Sequence, residues 1–142
     1  SRIIFANNLP HLEHLERHKH ADIFLDTFNY NAHTTASDAL WGGLPIITKQ
    51  GTQFAARVAS SLLSALDLSE LITHTDEEYE KLILDYATQP VMLKKIKEKL
   101  NRNKNDKPLF NTLKYTHDFE LSMSKIHELY FNGEKPKDII IN

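Results

Sequence analysis

The segment at residues 22–48 constrains the fold more strongly than any other part of the chain. An apolar run at 23–26 leads into a polar loop, a helical pattern covers 35–41, and a second apolar run follows at 45–48. The glycine pair after the helical pattern is a helix stop signal. Apolar strands that alternate with a helix are typical of a βαβ unit, whose strands lie parallel in one sheet. The segment therefore predicts an α/β fold built on a parallel sheet.

Further elements are predicted on both sides of this unit. A short strand is expected at 2–5 and a charged helix at 12–19. Apolar residues at helical spacing predict later helices around 54–62, 79–86, 93–100 and 119–130, with a strand or turn at 68–73 and a charged loop at 101–107. We interpret the apolar stripes of these helices as packing faces, and in the last helix the stripe consists of Phe119, Met123, Ile126 and Tyr130.

The number of predicted strands indicates whether the chain contains a complete domain. Three or four strands can be read from the chain, whereas a doubly wound domain usually has about five or six. We therefore expect residues 1–142 to form a single domain that is a fragment of a longer protein, with the remaining strands upstream of Ser1.

Composition excludes several classes of function. The 142 residues carry a net charge of −2, which provides no basic face for an extended nucleic-acid interface. Hydrophobic residues make up 41% of the chain, as in a globular protein, and no run of about 18 apolar residues predicts a membrane span. The absence of cysteine rules out a disulfide framework and a thiolate metal site. We expect a cytoplasmic protein that binds neither nucleic acid nor membrane.

The start of the helix at 35–41 is a candidate anion site. His33, Thr34 and Thr35 offer an imidazole and two hydroxyls there, beside backbone N–H groups that have no partner within the helix. Those N–H groups and the helix dipole attract phosphate groups. The spacing of Thr35 and Asp38 is also typical of a capping box, which begins many helices that bind nothing. The pattern alone leaves both interpretations open.

The wider string of motifs resembles a known family. Its members are the O-linked N-acetylglucosamine transferases, nucleocytoplasmic enzymes with a two-lobed GT-B fold. The resemblance extends from Arg2 to about Pro136 and rests on these motifs, in order: Arg2-Ile-Ile-Phe5, Glu13-His14, Arg17, Asp26-Thr27, Asn31-x-His33-Thr34-Thr35, Asp38, Leu40-Trp41-Gly-Gly-x-Pro45 and Pro108-Leu-Phe-Asn-Thr112. The related plant-type O-fucosyltransferases usually lack the histidine of the His-Thr-Thr string, so His33 favours the N-acetylglucosamine branch.

The resemblance implies both a fold and a function. The fold would be a Rossmann-like three-layer lobe with a parallel sheet, the C-terminal half of a GT-B glycosyltransferase, followed by C-terminal helices. The function would be binding of a UDP-sugar donor in an enzyme that transfers N-acetylglucosamine, or a related sugar, to Ser/Thr hydroxyls of proteins. The protein or peptide acceptor would bind through a second lobe and helical repeats outside this chain. The alternative is a nucleotide-sugar-binding module without transfer activity.

The resemblance also implies roles for individual residues. It assigns the diphosphate and the departing UDP to His33, Thr34 and Thr35, the ribose to Asp38 and His11, and the uracil to Leu9, His14 and Arg17. His11 stands where most of the family has a lysine, so the ribose contact loses a permanent positive charge. The acid and base groups of the family lie in the other lobe, so we expect no certain catalytic residue in this chain. No cofactor and no metal are expected.

The spacing of the histidines and of other motifs bears on the alternative kinds of site. His11, His14 and His18 fall on one helical face, and the spacing of the last two is compatible with zinc. A metal-dependent transferase would bring its ion on closely spaced carboxylates, and none adjoins the anion site. The chain also lacks the Gly-x-Gly-x-x-Gly of a Rossmann dehydrogenase and the Gly-x-Ser-x-Gly elbow of a hydrolase.

Overall fold

The computed structural model describes residues 2–141, which contain three short strands and six α-helices. The strands are β1 (Phe24–Leu25), β2 (Ile46–Lys49) and β3 (Ile72–Thr73). The helices are α1 (His11–Arg17), α2 (Thr34–Trp41), α3 (Val58–Ala65), α4 (Asp76–Thr88), α5 (Pro90–Asp106) and α6 (Thr112–Phe131). Short 3₁₀ turns lie at His18–His20, Phe54–Ala56, Ser69–Leu71 and Pro108–Phe110. Within residues 2–141, no helix combines the length and apolar character that a membrane crossing requires.

The chain divides into two compact units between Leu109 and Phe110. The first unit contains the three strands and helices α1 to α5, and the second contains α6. The single domain expected over residues 1–142 stays a prediction.

The three strands form one parallel sheet in the order β1, β2, β3. Phe24 of β1 lies opposite Ile46 of β2, and Thr48 of β2 lies opposite Ile72 of β3. Helix α2 connects the first two strands, so the predicted βαβ unit at 22–48 is confirmed. The predicted fold class, a Rossmann-like α/β lobe with a parallel sheet and C-terminal helices, is confirmed as well.

The core of the first unit lies around the central strand and the helices next to it. Ile46 and Ile47 of β2 are fully buried, as are Leu40 of α2 and Leu63 of α3. Continuous apolar runs of this kind are expected in parallel strands, because helices cover both faces of such a sheet. Helix α2 ends as predicted at the glycine pair, where Gly43 adopts a φ of 84°.

The predicted strand at 2–5 is wrong. Residues 2–10 have no regular secondary structure, and the side chains of Ile4 and Phe5 are 89% and 93% exposed. A strand requires a neighbouring strand for its backbone hydrogen bonds, and among residues 2–141 none pairs with this segment. The apolar composition was read correctly, but composition alone does not supply a partner.

The predicted loop at 101–107 is also wrong, because α5 continues to Asp106. Leu100 and Asn103 are buried on its inner face, and the Asn103 side chain donates a hydrogen bond of 2.7 Å to the Leu66 carbonyl. The charged residues of this stretch occupy other positions around the same helix. A single buried amide therefore anchors a turn whose composition resembles a loop.

The second unit contains one long helix, α6, which begins after Asn111 and is followed by Gly133 with a φ of 66°. The Asn111 side chain caps the helix by accepting a hydrogen bond from the Lys114 N–H. No residue of α6 is buried, and its apolar stripe is exposed, with Phe119 at 52% and Tyr130 at 80%. The interpretation of this stripe as a packing face stays a prediction.

Candidate functional site

The candidate site lies where β1 ends and the chain crosses to α2. In open parallel sheets, ligands bind beyond the carboxyl ends of the strands. A cavity of about 450 Å³ opens there, lined by the end of β1, the loop at 26–33 and the first residues of α2. His33, Thr34 and Thr35, the predicted diphosphate residues, all line it.

A buried carboxylate holds the loop at 26–33 in place. Asp26 is 4% exposed, and its Oδ1 accepts hydrogen bonds from the N–H groups of Thr27 and Ala32 at 2.9 and 2.7 Å. Its Oδ2 accepts a hydrogen bond of 2.6 Å from the Thr48 hydroxyl, on the neighbouring strand. The Asp26 carbonyl accepts a further one, at 2.9 Å, from the Tyr79 hydroxyl. The role of Asp26 was not predicted, although an acidic residue at the end of an apolar strand was the available signal.

The start of α2 is uncapped. The helix begins at Thr34, one residue earlier than predicted, and its N-cap residue, His33, makes no capping hydrogen bond through its side chain. The N–H groups of Ala36 and Ser37 both donate to the His33 carbonyl at 3.1 Å. Among residues 2–141, the N–H groups of Thr34 and Thr35 meet no acceptor. The capping-box interpretation is therefore wrong, and the donors of the first turn are available to an anion.

The imidazole of His33 lies between two aromatic rings. The Tyr30 ring stacks on it, with centroids 4.5 Å apart and planes 16° from parallel, and the Phe54 ring meets it edge-on at 6.2 Å. The His33 Nε2 lies 3.4 Å from the Ala55 carbonyl. Neither aromatic neighbour was predicted. Tyr30 lies only three residues before His33 but carries no pattern that indicates stacking, and Phe54 reaches His33 only after the chain has crossed the sheet.

A second group of predicted residues lies on α1. One guanidinium nitrogen of Arg17, Nη2, donates to His14 Nδ1 at 2.7 Å, and the other, Nη1, donates to the Asn7 carbonyl at 2.9 Å. Arginine can only donate, so Nδ1 of His14 is the acceptor and the proton of the neutral ring is on Nε2. This contact fixes both the tautomer and the orientation of the imidazole assigned to the uracil.

His18 packs beneath His14. The two rings meet edge-on at 4.7 Å, and His18 is 9% exposed. Burial lowers the pKa of His18 below its usual value of 6.5, and the electrostatic interaction with the neighbouring His14 lowers the pKa further. His18 also lies close to the end of α2, since a Cβ added at Gly42, the residue after that helix, would lie 3.2 Å from the Cβ of His18. His18 was not predicted as a site residue, and its burial is what distinguishes it from the exposed histidines.

One contact joins the two groups. His11 Nε2 on α1 lies 3.8 Å from Asp38 Oδ2 on α2, and these are the two residues assigned to the ribose. Leu9, assigned to the uracil through its backbone, is half-buried just before α1. The structure thus brings together His11 and Asp38, the two residues predicted to bind the ribose.

The zinc interpretation finds no support in this arrangement. His14 and His18 contact each other, whereas His11 faces Asp38 instead. Across residues 2–141, no three histidine, cysteine or acidic side chains come together in a group that could hold a metal ion. The absence of a metal requirement nevertheless remains a prediction about solution behaviour.

The parallel sheet and its helices define a Rossmann-like α/β lobe. Residues 1–119 match the model of glycosyl transferase family 41, and the chain belongs to this family. The predicted resemblance to O-linked N-acetylglucosamine transferases is thereby confirmed.

Relatives and a solved structure agree with this membership. A UDP-N-acetylglucosamine–peptide N-acetylglucosaminyltransferase of Caenorhabditis elegans is 36% identical over 142 residues, which are 100% of this chain and 12% of that protein. The probable transferase SEC of Arabidopsis thaliana is 35% identical over 96% of this chain and 14% of its own length. A mutant O-GlcNAc transferase of Thermobaculum terrenum superposes with a TM-score of 0.67 at 35% identity, covering 69% of this chain and 19% of that one. The chain thus spans only a small part of the proteins it matches.

Proposed function

We propose that this chain forms the UDP-sugar-binding part of a protein O-GlcNAc transferase. The whole protein would transfer N-acetylglucosamine, or a related sugar, from UDP to Ser/Thr hydroxyls of proteins. The observation that carries the proposal is the uncapped start of α2, joined through the contact between His11 and Asp38 to the aromatic and cationic group on α1. Membership of family 41 supports the same function.

The diphosphate half of the site consists of the loop at 26–33 and the start of α2. The free N–H groups of Thr34 and Thr35 and the positive end of the helix dipole offset phosphate charge. The two hydroxyls and the His33 imidazole add hydrogen bonds to the departing UDP as its charge increases. These residues stabilise a leaving group, and the acid and base groups are expected in the other lobe.

The nucleoside half consists of Leu9, His11, His14 and Arg17. The His14 ring, fixed by Arg17, offers a flat face on which uracil can stack, and Arg17 has further N–H donors for the uracil carbonyls. Asp38 accepts hydrogen bonds from the ribose, and His11 at 3.8 Å from its carboxylate can donate or accept one beside it. An imidazole there supplies less positive charge than the lysine of most relatives.

We propose that donor binding needs no metal or cofactor, because the helix start supplies the positive potential that an ion would otherwise provide. The acceptor protein, the second lobe and tetratricopeptide-type helical repeats belong to the remainder of the parent protein. A cytoplasmic location is part of the same proposal.

The direct test is a UDP titration of the 142-residue chain followed by amide NMR shifts, with and without excess EDTA. We expect shift changes at 33–38 and 9–17 and the same affinity in EDTA. Shifts confined to α6, or none at millimolar UDP, would show that the site is misplaced. A loss of binding with chelator that Mn²⁺ or Zn²⁺ restores would replace the metal-free proposal with a metal site.

Transfer is tested separately, in the full-length parent. UDP-GlcNAc turnover on a Ser/Thr peptide supports the enzyme. Tight UDP-sugar binding without turnover in a parent that holds both lobes would favour the alternative, a binding module without transfer activity.

A further inference from the structure

The orientation of the His33 ring depends on few contacts. As the N-cap residue of α2, His33 brings its imidazole to the edge of the diphosphate cavity. Within residues 2–141, its only hydrogen-bond partner through a ring nitrogen is the Ala55 carbonyl, at a long 3.4 Å. A bond of that length is weak, so it cannot by itself fix the rotamer of the imidazole.

Tyr30 supplies the closer of the two aromatic contacts to that ring. The two rings lie 4.5 Å apart and 16° from parallel, whereas Phe54 touches the imidazole only with its edge at 6.2 Å. Stacked aromatic pairs have a preferred geometry, so the Tyr30 ring restricts both the position and the plane of the imidazole.

The backbone beneath Tyr30 is itself held. The next residue, Asn31, is 1% exposed, and its N–H donates a hydrogen bond of 2.8 Å to the Ala55 carbonyl. The Asn31 side chain donates a second, of 2.7 Å, to the Thr27 carbonyl. The residue after Tyr30 is therefore held by the same carbonyl that lies near the His33 Nε2.

The Tyr30 side chain is not part of the core. It is 64% exposed, and its ring borders the cavity together with His33 and Thr34. An aromatic side chain as exposed as this one contributes little to the core. Because its backbone is held, it can instead fix the orientation of the neighbouring His33 ring before a ligand binds.

We propose that Tyr30 is a positioning residue for the UDP diphosphate, because its stacked ring holds the His33 imidazole at the start of α2. This inference rests on the proposed function, in which His33 binds the diphosphate. A fixed imidazole needs no ordering when UDP binds, so the stack increases affinity without touching the ligand.

The first experiment compares three variants of the 142-residue chain in UDP titrations. Tyr30→Ala removes the stacked ring and is expected to raise the Kd for UDP roughly three- to tenfold, the factor that corresponds to one aromatic pair. Tyr30→Phe keeps the ring and should bind within about twofold of wild type. Tyr130→Ala removes a tyrosine that is 80% exposed in the other unit, and serves as the matched control with unchanged affinity.

The second measurement reports on the His33 ring itself, without UDP. A stacked tyrosine displaces the NMR shifts of the imidazole protons through its ring current. We expect that displacement in wild type and Tyr30→Phe and its loss in Tyr30→Ala, while the amide spectrum of the sheet stays unchanged. Identical His33 ring shifts in all three proteins would overturn the proposed stack.

A double-mutant cycle separates positioning from direct contact. If Tyr30 acts through His33, then Tyr30→Ala should have no further effect on the Kd in a His33→Ala background. An equal loss in both backgrounds would mean that Tyr30 touches UDP itself, which overturns the positioning role.

The cycle also distinguishes the two levels of inference. Unchanged affinity in Tyr30→Ala together with a loss in His33→Ala overturns the role of Tyr30 alone. A wild-type chain that does not bind UDP, or a His33→Ala variant with wild-type affinity, overturns the proposed function of His33 and the inference that depends on it.

Discussion

The two halves of the proposed donor site are held by different means. The diphosphate half is continuous with the core: Ala36 and Leu40 of α2 are fully buried, and buried Asp26 holds the preceding loop. The nucleoside half lies on α1, a helix of seven residues that has no side-chain cap and buries none of its residues. It is held by exposed or half-buried contacts of Arg17 and by the His18 ring beneath it.

This difference predicts different consequences of mutation. Substitutions that disturb the diphosphate half should lower the stability of the whole unit, because the hydrogen bonds of Asp26 are partly or fully buried and one of them joins it to Thr48 on the next strand. Substitutions in the nucleoside half should lower affinity for UDP while leaving the free energy of unfolding nearly unchanged.

The largest effect on stability is expected from Asp26→Ala. The substitution leaves two loop N–H groups and the buried Thr48 hydroxyl without their acceptor, which should cost about 3 kcal/mol of unfolding free energy. Urea unfolding followed by circular dichroism measures it. The matched control is Asp22→Ala, whose exposed ion pair with Lys97 should contribute less than about 1 kcal/mol. Equal losses in the two variants would contradict the role given to Asp26.

A comparably large effect is expected on transfer by the full-length parent. His33→Ala and Asp38→Ala should each lower turnover on the order of a hundredfold, because each removes a group that holds or stabilises the departing UDP. Steady-state transfer to a Ser/Thr peptide is the measurement. His117→Ala, which removes an exposed histidine of α6, should retain full turnover. If both site variants retained nearly wild-type turnover, the assigned roles would be wrong.

A smaller effect is expected from Arg17→Lys in the nucleoside half. Lysine keeps the charge but replaces the rigid guanidinium, whose Nη1 and Nη2 reach the Asn7 carbonyl and His14 separately, by a single nitrogen on a flexible stem, so the His14 ring loses its fixed orientation. We expect UDP affinity to fall roughly three- to tenfold while the unfolding free energy changes by less than about 0.5 kcal/mol. A large loss of stability instead would show that α1 is as integral to the fold as α2, and the contrast between the halves would fail.

The smallest expected effect is a pH dependence of stability through His18. Because burial lowers its pKa in the folded state, the unfolded chain takes up this proton first as the pH falls below 6.5. The His18 contribution to stability is therefore complete above about pH 6.5 and is lost progressively as the pH falls through the lower folded-state pKa.

Urea unfolding at several pH values between about 5 and 8 tests this sign. His18→Gln should flatten the acid side of the stability curve relative to wild type, whereas His20→Gln, at an exposed position, should not. Parallel curves for wild type and His18→Gln would rule out His18 as the source.

Hydrophobic periodicity and helix stop signals predicted the elements whose own residues contain those patterns. The βαβ unit at 22–48 and the helix around 79–86 follow from periodicity and stop signals, and both are present. The capping box shows the limit of such signals. Thr75 and Glu78 form a complete box at α4, whereas the similar spacing of Thr35 and Asp38 forms none. The two patterns differ in which residue the tertiary structure places at the N-cap.

The sequence predicted which residues form the candidate site, but it did not predict the contacts that hold them in place. The sequence itself supplied the strand–helix–strand order, the exposed hydroxyls at the start of α2 and, through its family resemblance, the proposed donor residues. Only the tertiary structure decided that the helix start is uncapped, that Arg17 fixes the tautomer of His14, and that Tyr30 stacks on His33. The physical reason is that periodicity and capping specify the backbone within a few residues, whereas the orientation of a side chain also depends on contacts with other segments. Arg17 and Tyr30 each lie only three residues from the histidine they hold, but Arg17 also binds the Asn7 carbonyl, and the backbone next to Tyr30 is held by Ala55.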